Sequence, residues 1–392
     1  MHLAARRERA GRPQGSRRCS KTASRTRRKR RQIVTTARHH EPGSRAGLNP
    51  RGLNVDATSE WLASAVPGLD PPFEFGLIAA GGSNLTYEVR SANGNRVALR
   101  RPPEGSTLAT AHDTDREYRV MSALHEARVV PVPQCLARCD DTAVTGAAFI
   151  VMDFVDGQIL RTSGDAAALT STQAASATTA LIDAQVAFHT IDLQAVGLAF
   201  LGRHDGYVAR QLKRWVTQVE RADTRPLPLL HELHDALSAR IPAERAAPAL
   251  VHGDYRFDNV VLDTDFAVAA VLDWELCTTG DPIADFAWSV QYWGDPDDHM
   301  WWLPDPPTLP NSFPRRSEVV RQYEQATGFD LSDYPFYEAF SWWKQACIVE
   351  GAYARRLRGS AGGMKSSGPT AAISERADAM FEHAHTLVSR IS

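Results

Sequence analysis

The segment Leu250-Val251-His252-Gly253-Asp254-Tyr255-Arg256-Phe257-Asp258-Asn259 holds the residues whose types and spacing could do chemistry. An apolar run delivers His252-Gly253-Asp254 into a tight loop, and Asn259 follows Asp254 by five residues. A second apolar strand, ending in Val271-Leu272, then presents Asp273. Moving a phosphoryl group needs positioning and charge neutralisation more than covalent chemistry. Asp254 is placed to orient an acceptor hydroxyl or take its proton. Asn259 offers a neutral oxygen and Asp273 an anionic one, the hard ligands that suit Mg²⁺ beside nucleotide phosphates. His252 braces the loop by hydrogen bonding. An isolated His-x-Asp occurs in many polar hairpins, whereas base, amide and carboxylate in this order form a specific set.

Such residues need a scaffold, and the chain reads as one of two parts. A short helix is predicted over 59–66, closed by Pro67-Gly68. Strands are predicted over 73–78, 85–90 and 97–100. Gly81-Gly82-Ser83-Asn84 joins the first two, and the hairpin signal Asn93-Gly94 joins the next. A helix over 113–127 carries Glu117, Val120, Met121 and Leu124 at helical spacing. A buried strand over 147–152 leads into a linker over 153–157. Helical patterns follow at 174–189, 206–221, 228–240, 282–293, 315–326, 334–358 and 370–390, interrupted by the hairpin at 250–273. The expected fold is α+β and bilobal, with a small β-rich lobe over 52–155 and a larger, mainly helical lobe over 156–392.

The chain has 392 residues, 43% of them hydrophobic, enough for one large two-lobed domain or two ordinary domains. No run of about 18 apolar residues occurs, so no membrane span is expected. The cysteines at 19, 135, 139, 277 and 347 are scattered and lack zinc spacing, which reads as ordinary core thiols. With no secretory signal, a reducing cytoplasm is the expected compartment. The net charge of -2 hides a basic segment: residues 1–51 contain 16 Lys+Arg and two acids, Glu8 and Glu41. That composition predicts disorder. Arg27-Arg28-Lys29-Arg30-Arg31 could bind a polyanion or nucleic acid, or serve as a targeting arm. A third reading starts translation near Leu53 or Val55, leaving the segment out of the functional protein.

His252-Gly253-Asp254 with Asn259 and Asp273 resembles the catalytic segment of the aminoglycoside phosphotransferase and choline kinase superfamily, which has a protein-kinase-like fold. The resemblance covers about residues 70–360. Asp273-Trp274-Glu275-Leu276, Thr279-Gly280-Asp281-Pro282 and Asp285 are similar to the branch associated with acyl-CoA dehydrogenases. Arg100-Arg101-Pro102-Pro103 and Glu350-Gly351-Ala352-Tyr353-Ala354-Arg355 fit the same branch. The resemblance implies ATP and Mg²⁺ as cofactors, Asp254 as the catalytic residue, and Asn259 and Asp273 as metal ligands. It places Ser83 and Asn84 near the nucleotide phosphates and makes 152–155, with Asp153 and Val155, the hinge that binds adenine. Kinases usually carry a Lys on the third strand; no Lys lies between Lys29 and Lys213, so that place falls to Arg100, paired with Glu117. Strand alternation points Arg101 to the opposite face. Asp281 caps a helix, Asp285 packs under the catalytic loop, and Glu275 stands behind the metal aspartate.

Acceptor recognition is expected in the helical lobe. Tyr292, Trp293, Trp342, Trp343 and Tyr353 could wall a pocket or simply form core, and Lys344, Arg355, Arg356 and Arg358 add positive charge. A cationic acceptor would favour carboxylates and aromatic faces. Basic groups favour an anionic one, such as a hydroxy acid or a hydroxyacyl-CoA. The leading expectation is therefore an ATP- and Mg²⁺-dependent kinase for a small-molecule hydroxyl. An aminoglycoside or amino-alcohol kinase and a nucleotide-binding pseudokinase are the alternatives.

Overall fold

The computed structural model describes residues 52–80, 84–103, 114–202, 205–244, 246–310, 312–359 and 369–391. The basic segment 1–51 and the predicted phosphate contact Ser83, with Gly81 and Gly82, lie outside them. The β-rich part comprises α1 (Val55–Ala65), β1 (Phe73–Ala80), β2 (Leu85–Ser91), β3 (Arg96–Arg101), α2 (Thr114–Ala127), β4 (Cys135–Cys139), α3 (Thr142–Thr145) and β5 (Phe149–Asp153). Its strands form one antiparallel sheet in the order β1-β2-β3-β5-β4.

Alternation along these strands feeds two cores. Val97, Leu99, Phe149 and Val151 point to one face, where Leu62 and Val66 of the α1 region cover them. Ala98, Ile150 and Met152 point to the other, against Val120, Met121 and Leu124 of α2, and that core continues into the helical part. Each large apolar side chain so buried contributes roughly 1.5–3 kcal/mol. Strand β4 escapes sequence prediction because it is an edge strand with four of its five residues only half-buried, so no alternation marks it.

The helical part begins with α4 (Ser163–Ala166), α5 (Ser171–His189), α6 (Tyr207–Ala222) and α7 (Pro228–Ser238). A hairpin region follows: β6 (Ala249–Val251), β7 (Val260–Leu262), β8 (Val268–Val271) and β9 (Thr278–Gly280), with β6 paired to β9 and β7 to β8. Helices α8 (Pro282–Val290), α9 (Arg316–Thr327), α10 (Tyr334–Leu357) and α11 (Thr370–Val388) complete it. Helix α10 is apolar around most of its circumference and packs against α6, α7, α8 and α11, the position such a helix requires. The linker after β5 is tied to the hairpin by the bridge Gln158–Leu262. Gly157 permits that approach, since a Cβ there would lie 2.4 Å from the Leu262 carbonyl oxygen. Both parts fall in one compact unit. No described helix is long and apolar enough to cross a membrane.

Candidate active site

Strand β6 ends at Val251 and delivers the loop His252-Gly253-Asp254. Gly253 sits at φ 85°, and a Cβ there would meet Leu276 at 3.1 Å, so only glycine turns the chain here without strain. Asp285, on the first turn of α8, accepts from the backbone N–H of His252 at 3.1 Å and of Gly253 at 2.8 Å. His189 Nε2 donates to the same carboxylate at 3.1 Å, while its Nδ1 accepts from the Tyr323 hydroxyl at 2.6 Å. Burial opposes ionisation of Asp285, but the hydrogen bond and charge of His189, with His252 and the Gly253 N–H, hold its pKa below the usual carboxylate value. His252 Nε2 donates to the Leu272 carbonyl at 2.9 Å and its Nδ1 accepts from Asp254 N at 3.3 Å. The histidine thus ties the loop bearing Asp254 to the strand before Asp273.

Asn259 spends its amide hydrogens on Asp254, at 2.7 Å to the carbonyl and 3.2 Å to Oδ2, which leaves its own carbonyl oxygen for another partner. Its backbone oxygen accepts from Leu272 N at 2.8 Å, bringing Asp273 alongside. Asp273 holds a left-handed backbone at φ 67°, a conformation costly for a residue with a Cβ. The expected trio of Asp254, Asn259 and Asp273 is therefore gathered by a connected hydrogen-bond network. Among the described residues no group of three or more His, Cys, Asp or Glu side chains could hold a metal by itself. An amide oxygen and one carboxylate fit Mg²⁺, which keeps waters and substrate phosphates as further ligands.

Arg100, on β3, reaches across to this trio. Its Nε lies 3.1 Å from Glu117 on α2, and its Nη2 pairs with Asp273 and lies 3.4 Å from Glu275. Burial works against the guanidinium, but Glu117, Asp273 and Glu275 outweigh it and raise its pKa. Glu275 also accepts from the Asn84 amide, and Arg116 donates to its backbone carbonyl. Arg101 faces the other way, as alternation requires: fully buried, it donates to the carbonyls of Pro102 and Thr145. Asp153 ends β5 opposite Val97, and Val155 follows in the half-buried linker. Asp281 caps α8 by accepting from Ile283 N and Ala284 N, with Pro282 at the first helical position.

Around Asp254 lie contacts that sequence reasoning missed. Tyr292 donates to Asp254 Oδ1 at 2.7 Å; burial, then the Asp254 charge, push its phenol pKa up. Arg256 stacks over the Tyr292 ring at 4.6 Å, and its Nε lies 3.5 Å from Asp254 Oδ1. Of the candidate wall residues, Trp293, Trp342 and Trp343 are buried core, with Trp293 and Trp343 donating to the carbonyls of Pro314 and Leu230. Tyr353 packs under Arg225, whose guanidinium pairs with buried Glu350 at 2.8 Å. Among the four basic candidates, Lys344 alone is buried, Arg355 is half-buried, and Arg356 and Arg358 face solvent. A narrow apolar cavity of about 30 Å³ opens beside Arg256 and Tyr292, lined by Leu160, Ile182, Phe257 and Val290 among others.

A family model described as the phosphotransferase enzyme family matches residues 74–340. The chain is 34% identical over 325 residues to acyl-CoA dehydrogenase family member 10 of Mus musculus, covering 82% of this chain and 30% of that protein. The chain thus spans about a third of that relative's length. A crystal structure assigned to the aminoglycoside phosphotransferases of Ralstonia eutropha is 30% identical with a TM-score of 0.73, covering 87% of this chain and 99% of that one. Choline kinase of Cryptosporidium parvum shares the fold alone, at 13% identity and a TM-score of 0.57 over 85% of this chain and 95% of that one. With the bilobal α+β architecture and the His252–Asp273 network in place, the chain belongs to the phosphotransferase enzyme family.

Proposed function

We propose that this protein transfers the γ-phosphoryl group of ATP to a hydroxyl on an anionic small molecule, a hydroxy acid or a hydroxyacyl-CoA. The observation that carries the reading is the single network joining Asp254, Asn259, Asp273 and Arg100. Asp254 orients the acceptor hydroxyl and takes its proton, while Tyr292 and Arg256 fix the carboxylate. Asn259 and Asp273 would hold Mg²⁺. The bound ion neutralises charge on the phosphate oxygens. Arg100 contacts the same phosphates with its guanidinium held in register by Glu117. Asn84, with Ser83 beside it in sequence, serves the phosphate side, and the backbone of Asp153 and Val155 serves the adenine. Lys344 and Arg355 in the helical lobe support an anionic acceptor over choline-like or aminoglycoside cations.

A screen of hydroxyacyl-CoAs, hydroxy acids, sugars, amino alcohols and aminoglycosides, followed by ADP release, tests this. Turnover is expected with the anionic hydroxyl compounds and is abolished without Mg²⁺. Turnover confined to cationic acceptors would replace this reading with the amino-alcohol or aminoglycoside alternative. One observation favours a second reading, a nucleotide-binding pseudokinase: Arg100 stands where kinases carry Lys, and it is paired with Asp273. Mg-ATP binding without turnover on any acceptor would be its signature.

A further inference from the structure

Lys344 projects from α10 into the interior, where it is 9% exposed. Its ammonium lies 3.7 Å from the centre of the Trp288 ring, and among the described residues it has no hydrogen bond or ion pair. A buried ammonium with only an aromatic face for company is costly unless something else completes it. The charges that reach it are Asp285 of α8 and Asp254 of the catalytic loop, which favour its charge, and Arg214 of α6, which opposes it. The surroundings are rich in donors. Among the described residues the indole N–H of Trp302 is buried without an acceptor, and its ring touches that of Trp288 at 4.6 Å. Trp288 also meets Tyr292, the phenol that donates to Asp254. A chain of side-chain contacts therefore links the Asp254 carboxylate through Tyr292 and Trp288 to an ammonium that, among the described residues, has no anion beside it.

We propose that Lys344, over the face of Trp288, receives an acyl oxygen of the acceptor, a carboxylate or the equivalent oxygen of a thioester, and thereby selects the acceptor class. The assignment rests on Asp254 as the site of the acceptor hydroxyl. Lys344 is then a specificity residue: it fixes the acyl end while Asp254 holds the hydroxyl. Choline-like cations are refused by the same ammonium.

Two experiments on the full chain separate this proposal from the proposed reaction. The first is a thermal-shift titration with 3-hydroxybutyrate, and with choline as a cationic control, on the wild type, Lys344→Met and Lys344→Gln. The carboxylate should stabilise the wild type and neither variant, and choline should stabilise none of them. This readout needs no ATP turnover, so failure of phosphoryl transfer leaves it decisive. The second is steady-state kinetics with 3-hydroxybutyrate and with 3-hydroxybutyryl-CoA. The acceptor KM should rise about tenfold or more in Lys344→Met, with the KM for ATP unchanged and Lys344→Arg falling between. A rise with both compounds assigns the shared acyl oxygen, and a rise with the free acid alone assigns the carboxylate. Equal stabilisation of wild type and variants by the carboxylate, no response of the wild type, or an unchanged acceptor KM would overturn the proposal.

Discussion

Arg100 sits among Glu117, Asp273 and Glu275, and its planar fork can serve more than one of them at once. A lysine there offers a point charge on a flexible stem and cannot hold the same register. Arg100→Lys is therefore expected to raise the KM for ATP by about tenfold while leaving the melting temperature within a few degrees, measured at saturating acceptor. Lys344 supplies a pH test of the same kind. Burial lowers its pKa to about 8, below the unfolded value of about 10.4, so between those values the unfolded chain binds more protons and stability rises with pH. Lys344→Met should thus be more stable than wild type at pH 7 by on the order of 1–3 kcal/mol. That advantage should shrink as the pH rises through 8 and beyond, followed by thermal melts. At this scale the sequence was partly legible. The opposed faces of Arg100 and Arg101 follow from strand alternation, and Asp281 from its Pro282 neighbour. The hydrogen bond from Tyr292 to Asp254 was not, because it joins residues 38 apart through the packing of α8 against the catalytic loop.

The elements that carry the site are held by a few buried polar groups. Asp285 anchors the backbone of His252 and Gly253 and pairs with His189, joining α8, β6 and α5 at one point. Asp285→Ala removes the partner of that buried array and should destabilise the protein by roughly 3–5 kcal/mol, read by denaturant unfolding. Turnover should fall with it, because the loop bearing Asp254 loses its support. Helical periodicity revealed most of these elements: the helix predicted over 334–358 is found as Tyr334–Leu357, and that over 113–127 as Thr114–Ala127. The edge strand Cys135–Cys139 stayed hidden, since half-exposed residues carry little alternation. The choice between pocket wall and core for the aromatic residues of the helical part is also beyond sequence pattern. Trp342 and Trp343 are core, whereas Trp293, also buried, lines the cavity beside Arg256 and Tyr292.

Across the whole molecule, the β-rich and helical parts share a continuous apolar core and are also joined by polar bridges. Arg100 and Asn84 reach Glu275, and Arg116 reaches its carbonyl, so residues 273–275 act as the clasp between them. Nucleotide bound in that cleft should stabilise both parts together, by about 2.7 kcal/mol at a concentration 100 times the Kd. The Mg²⁺-dependent share of that shift should vanish in Asp273→Asn. Deleting the basic segment 1–51 should remove any polyanion binding, which its 16 Lys+Arg would drive, while leaving ATP turnover intact. The proposed role of Asp254, serving the acceptor hydroxyl in phosphoryl transfer, is open to a single-turnover assay. Radiolabelled γ-phosphate from Mg-ATP is followed onto 3-hydroxybutyrate or its CoA thioester in the wild type and in Asp254→Asn. Transfer is expected in the wild type, with a loss of about 100-fold or more in the variant and ATP affinity retained. Equal transfer by the two proteins would contradict it.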